Sequence, residues 1–137
     1  MKDAAAALPP IVEPDERSAP FFEAAARGVL RLQRCERCSA WQLPVRRRCP
    51  ACGSTALAWA DASGRGTVWS HARAHRASHP ALRALLPLDL VVVDLAEGVR
   101  MSARRAAGSP PLRAGDAVVA VFEPAGEGLA LPVFRRA

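Results

Sequence analysis

Residues 32–53 read LQRCERCSAWQLPVRRRCPACG, and this stretch decides the fold. Cys35-Glu36-Arg37-Cys38 and Cys49-Pro50-Ala51-Cys52 form two pairs with ten residues between them. A two-residue gap lets one tight turn present two thiolates to a single ion, and two such knuckles complete a sulfur tetrahedron. Gly53 directly after the second pair suits the left-handed backbone that such a turn requires. Arg34, Arg37 and Arg46 to Arg48 lie close by and offset the charge of four thiolates. Disulfides are disfavoured in a chain read as cytoplasmic, and a redox pair would leave the second motif unexplained. Iron uses the same ligands, so the sulfur set alone leaves both metals open. The expectation is one structural zinc ion held by Cys35, Cys38, Cys49 and Cys52. Four sulfur ligands leave no open position for water or substrate, so the ion is not expected to be catalytic.

Outward from the knuckles, residues 1–17 carry Ala4 to Ala7, Pro9, Pro10 and Pro14, and read as a flexible arm. Residues 18–31 form an N-terminal helical segment, with Pro20 in the first turn of the helix and Gly28 as its stop. Phe21, Phe22, Ala25 and Ala26 give that helix one apolar stripe, which either packs on its own domain or docks another protein. Leu30 and Leu32 alternate with Arg31 and Gln33 as a strand entering the first knuckle, and Leu57 and Trp59 alternate out of the second. The zinc ribbon spans residues 32–59. From residue 60 to 137 the pattern becomes short strands over 67–73, 88–95, 99–105, 117–123 and 129–134. The second of these reads as a buried strand. A loop over 77–87 with Pro80 and Pro87 follows the first and glycine-containing turns separate the others, and five such strands fit a small Greek-key barrel of the OB type.

Composition sets limits on function. Half the residues are hydrophobic and 23% are charged, which reads as globular. No run is long and apolar enough to span a bilayer. The opening Met1-Lys2-Asp3 followed by alanines lacks a sustained apolar core, so the expected location is the cytoplasm, with no membrane partner. A net charge of +6 favours an anionic partner. All but Lys2 of the 19 basic residues are arginine, which a GC-rich genome produces whatever the protein binds.

Other candidate sites are sparse. His71, His75 and His79 are spaced four apart but fall in a strand and a loop, so they read as surface histidines. No serine or cysteine nucleophile has a recognisable base partner, and no phosphate-binding glycine loop of the Walker type occurs. No catalytic residue is therefore assigned. Binding of single-stranded nucleic acid by a ribbon-and-barrel module is the physical alternative, but it needs exposed aromatics on which bases stack. Only Trp69, Phe122 and Phe134 fall in the barrel region, and some of these must fill its core.

An ordered series of motifs from about Phe21 to Arg135 resembles a known family. The series runs through Leu32-Gln33-Arg34-Cys35, Pro44 with Arg46, Cys49-Pro50-Ala51-Cys52-Gly53 and Gly64-Arg65-Gly66-Thr67-Val68. It continues with His75-Arg76, Gly98-Val99-Arg100, Gly115-Asp116 and Leu131-Pro132-Val133-Phe134-Arg135. The family is the zinc-ribbon and OB-fold acyl-CoA-associated proteins, catalogued as domain of unknown function 35. Ser39 departs from it, since a glycine often follows the first pair. The resemblance implies a mainly β chain: a short N-terminal helix, a rubredoxin-like zinc ribbon and a C-terminal five-stranded OB-fold barrel. It also implies a non-catalytic accessory subunit of a thiolase-like enzyme, a steroid side-chain aldolase or a MaoC-like hydratase. Such a subunit helps hold the coenzyme A part of an acyl thioester. On that footing Phe21 and Phe22 are the candidate docking residues. Arg46, Arg47 and Arg76 are the candidates for the coenzyme A phosphates, through charge-assisted hydrogen bonds.

Overall fold

The structure is a computed structural model and describes residues 12–137. The arm expected over residues 1–17 thus lies largely outside the described residues. It leads into a turn at residues 16–18. Asp15 Oδ1 there accepts from the Ser18 backbone N–H (2.8 Å) and hydroxyl (2.9 Å), and the Ser18 N–H holds the Asp15 carboxyl below its ordinary range. Helix α1 (Ala19–Ala26) follows, with Pro20 near its start. Buried Ala24 and Ala25 let its backbone pack closely on the strands beneath. Gly28 ends it at φ 78°.

Three strands make the ribbon: β1 (Arg31–Cys35), β2 (Trp41–Gln42) and β3 (Leu57–Asp61). The antiparallel order is β2-β1-β3, with Gln33 opposite both Gln42 and Trp59. Alternation along β1 is imperfect, because Leu32 and Gln33 are both buried. Gln33 is tolerated inside because its amide takes the Arg46 N–H (2.7 Å) and donates to the Arg46 carbonyl (3.1 Å). One side chain thereby fixes the loop between the knuckles.

The second sheet comprises β4 (Arg65–Ala74), β5 (Leu88–Leu95), β6 (Arg100–Arg104), β7 (Ala117–Pro124) and β8 (Ala130–Arg136), in the order β6-β5-β4-β7-β8. A parallel bridge from Arg105 to Phe134 joins the two ends, so the sheet is a nearly closed five-stranded barrel. A short helix α2 (Pro80–Arg83) fills the β4–β5 connection and is capped by His79, whose Nδ1 accepts from the Ala81 N–H at 3.1 Å.

β5 corrects the expectation of a buried strand. Val91, Val93 and Leu95 point inward, while Leu90 just before them is 40% exposed, so the strand has one inner and one outer face. Gly66 marks the tightest crossing of β4 over β5. A Cβ there would lie 2.5 Å from Val93 Cγ1 and 2.6 Å from the Asp94 carbonyl oxygen, so no side chain fits. Two residues on, the register shifts between Val68 and Ser70, leaving Trp69 as an unpaired bulge residue.

Ribbon and barrel share one core. Leu30 and Leu32 from the ribbon side pack with Val68, Val91, Val93, Met101, Val118 and fully buried Phe134 from the barrel. Helix α1 lies across the seam, packed on both β1 and β8.

Candidate metal centre and the surfaces around it

Each cysteine pair closes a turn by its own backbone. The Ser39 N–H donates to the Cys35 carbonyl (2.9 Å) and the Gly53 N–H to the Cys49 carbonyl (2.8 Å). The residue after each pair sits in the left-handed region, Ser39 at φ 65° and Gly53 at φ 76°. The two knuckles are therefore built alike, one on the exit from β1 and the other in the return toward β3.

They bring the four Sγ atoms within 4.8 Å of one another. Cys35 Sγ lies 3.6 Å from Cys52 Sγ, and Cys38 Sγ lies 3.5 Å from Cys49 Sγ. A tetrahedron with metal–sulfur bonds of about 2.3 Å has edges of about 3.8 Å, so the cage fits one zinc ion after a shift of a few tenths of an ångström. All four cysteines are free of disulfides. Without a cation the thiols divide their protons unequally. The Cys38 N–H draws Cys35 down to about 6. The Ala40 N–H draws Cys38 down too, but Cys49, burial and the other thiols push it up to about 12. A divalent cation removes that conflict by holding all four as thiolates. Cys35 and Cys49 are buried, whereas Cys38 and Cys52 reach the surface. The donor set is complete and closed, which suits a structural ion.

The other expected site residues are not gathered in one place. Arg46 and Arg47 lie exposed on the loop between the knuckles, and exposed Arg76 lies in the β4–α2 connection of the barrel. Phe21 and Phe22 contact each other edge to face at 5.1 Å between ring centroids, and both are half-buried. Phe21 packs against the shared core and forms one wall of an apolar slot of about 170 Å³, whose other walls include Leu32, Leu43, Val45 and Trp59. Among the described residues the four cysteines are the group of side chains close enough to share an ion. His71 and His75 are exposed, and His79 caps α2.

Register exposes features that the sequence left hidden. Gln42 also lines the slot, and both of its buried amide atoms lack a hydrogen-bond partner. Trp69, turned outward by the bulge, is 56% exposed and carries the Arg100 guanidinium 3.8 Å above its ring, while Asp94 holds that arginine at 2.6 Å. Asp89, on β5, is gripped by Arg73 at 2.7 Å and by Arg105 at 2.9 Å, and the Arg73 hydrogen bond leads the effects that hold its carboxyl below the ordinary range. No local sequence pattern announces these contacts, because each joins residues that only strand pairing brings together.

Comparison with known proteins agrees with this architecture. Residues 22–58 match the family described as ChsH2, rubredoxin-like zinc ribbon domain. Residues 59–123 match the one described as ChsH2, C-terminal OB-fold domain. A chain of a solved structure titled "Ltp2-ChsH2(DUF35) aldolase" superposes with a TM-score of 0.79 at 34% identity, covering 92% of this chain and 98% of that one. A protein of Thermomonospora curvata named "Probable enoyl-CoA hydratase alpha subunit" is 36% identical over 118 residues, which cover 85% of this chain and 36% of that relative's length.

Proposed function

Because the chain belongs to the ChsH2 family of zinc-ribbon and OB-fold proteins, we propose that it is a non-catalytic accessory subunit of an acyl-CoA enzyme. The partner in this reading is an aldolase or other thiolase-like protein, or a hydratase. The observation that carries it is the likeness over 98% of a chain of the titled aldolase, so the shared part is that whole chain. The relative named a hydratase subunit extends the same reading to a second class of acyl-CoA enzyme. This chain corresponds to about a third of that relative, so the relative's activity need not reside in the shared part.

The described residues support an accessory role in three ways. The cysteine cage is closed. The apolar slot beside α1, walled by Phe21, gives a partner a recess of side-chain size. The exposed arginines Arg46, Arg47 and Arg76 can each donate to a phosphate, and in an assembly they would help hold the coenzyme A moiety. A single-stranded nucleic-acid module is supported less well, because Phe134 is fully buried, Phe122 is half-buried and Arg100 covers Trp69.

The experiment is coenzyme A affinity, measured for the zinc-loaded chain, the partner enzyme and their mixture. Tighter binding by the mixture than by either component is expected, weakened roughly tenfold in the triple variant Arg46→Ala, Arg47→Ala, Arg76→Ala. Failure of the two proteins to form a complex would remove the accessory reading. A complex whose affinity the triple variant leaves unchanged would remove only the assignment of these arginines.

A further inference from the structure

Gln33 and Gln42 are cross-strand neighbours on β1 and β2, and both line the apolar slot beside α1. Both are buried, yet their amides fare differently. Gln33 is paired through both amide atoms with the Arg46 backbone, at 2.7 and 3.1 Å. Gln42 is 3% exposed, and neither its Nε2 nor its Oε1 has a hydrogen-bond partner among the described residues. An amide buried in this state is destabilising, because it has given up water without compensation. Outward from the two glutamines, Leu32, Leu43, Trp59 and Phe21 wall the slot, and exposed Pro44 lies on its rim. Ser18, which also lines it, is already engaged, its hydroxyl donating to the Asp15 carboxylate and accepting from the Asp15 N–H. The recess of about 170 Å³ is thus apolar along its sides, with an unpaired donor and acceptor side by side in its buried part.

We propose that the slot receives a tyrosine side chain of the partner enzyme, a reading that rests on the accessory role proposed above. An apolar cavity of about 150 Å³ holds a benzene ring, so the slot has the volume for a phenol. A phenolic hydroxyl donates and accepts at one oxygen, so it can take the Gln42 Nε2–H and give its own proton to Oε1. Other side chains meet only part of this need. Phe and Leu leave both amide atoms unpaired, Trp only donates, and Ser or Thr leave the apolar walls uncovered. Glutamine pairs the amide but lays only a thin methylene stem against the walls. None of the 137 residues is tyrosine, so neither this chain nor a second copy of it supplies the ring. Tyrosine is also enriched at interfaces, where its apolar body is buried and its hydroxyl paired.

The test is an NMR titration of the full zinc-loaded chain with p-cresol, the side-chain analogue of tyrosine, and with toluene, which lacks the hydroxyl. Saturable shifts of the Gln42 amide and Trp59 indole signals are expected with p-cresol. Its affinity should exceed that of toluene by roughly tenfold or more, because a site built to pair a hydroxyl rejects the analogue without one. Gln42→Leu should fold normally, since it replaces an unpaired buried amide with an apolar group of similar size, and it should erase or invert that preference. No saturable binding of p-cresol would overturn the proposal, as would equal affinity for the two ligands or a preference retained in Gln42→Leu. So would tighter binding of propionamide, the glutamine analogue. In the assembly, Gln42→Leu is expected to weaken binding of the partner enzyme roughly tenfold. Failure of the wild-type chain to form any complex removes the accessory reading and its tyrosine together, whereas a complex formed equally well by Gln42→Leu removes the tyrosine alone.

Discussion

Ser39 occupies in the first knuckle the place that Gly53 occupies in the second, and both are left-handed, at φ 65° and 76°. A Cβ in that region crowds the following carbonyl, at a cost of about 1–2 kcal/mol. The turn is nevertheless kept, because the Ser39 N–H closes it onto Cys35. Ser39→Gly should therefore stabilise the protein by about 0.5–1 kcal/mol, after allowing for glycine's greater freedom when unfolded. A urea unfolding midpoint at fixed zinc concentration, shifted upward with an unchanged slope, checks it. A lowered midpoint would mean that the serine side chain contributes more than its backbone costs. At the same scale, Gln33 shows how one buried amide, fully paired, makes a loop as fixed as a strand.

Among the elements, the ribbon depends on its metal cage and the barrel on its strand pairing. Between the knuckles the ribbon has only the two-residue strand β2, so little besides Gln33 and a bound ion orders that loop. Zinc in small sulfur cages supplies on the order of 10–16 kcal/mol of apparent binding energy. Removing it with a strong chelator should unfold the ribbon and abolish the near-ultraviolet circular dichroism of Trp41 and Trp59. Because Leu30 and Leu32 belong to the common core, the thermal midpoint of the whole chain should fall as well. An unchanged spectrum and midpoint after complete stripping would deny the ion a structural role. The ribbon was legible in the sequence because its signal is local: two Cys-x-x-Cys pairs and the left-handed residue after the second. The five barrel strands were legible too, since glycine turns, and prolines between β4 and β5, punctuate them. The outward face of β5 was not, because Leu90 is as apolar as its buried neighbours and only the closing of the sheet decides which side it faces. Nor was the ion-pair cluster at Asp89, whose two arginine partners, Arg73 and Arg105, lie 16 residues away on either side.

At the scale of the whole molecule, ribbon and barrel form one body with a common core, and α1 spans the junction on the side where Phe21 walls the apolar slot.

The most direct test of this account is affinity isolation of the tagged protein from its native host, followed by mass spectrometry of what remains bound. Recovery of an aldolase, another thiolase-like protein or a hydratase in near-stoichiometric amount is expected, with loss of that protein when Phe21 and Phe22 are both changed to Asp. Recovery of nucleic acid, or of no acyl-CoA enzyme above background, would contradict it.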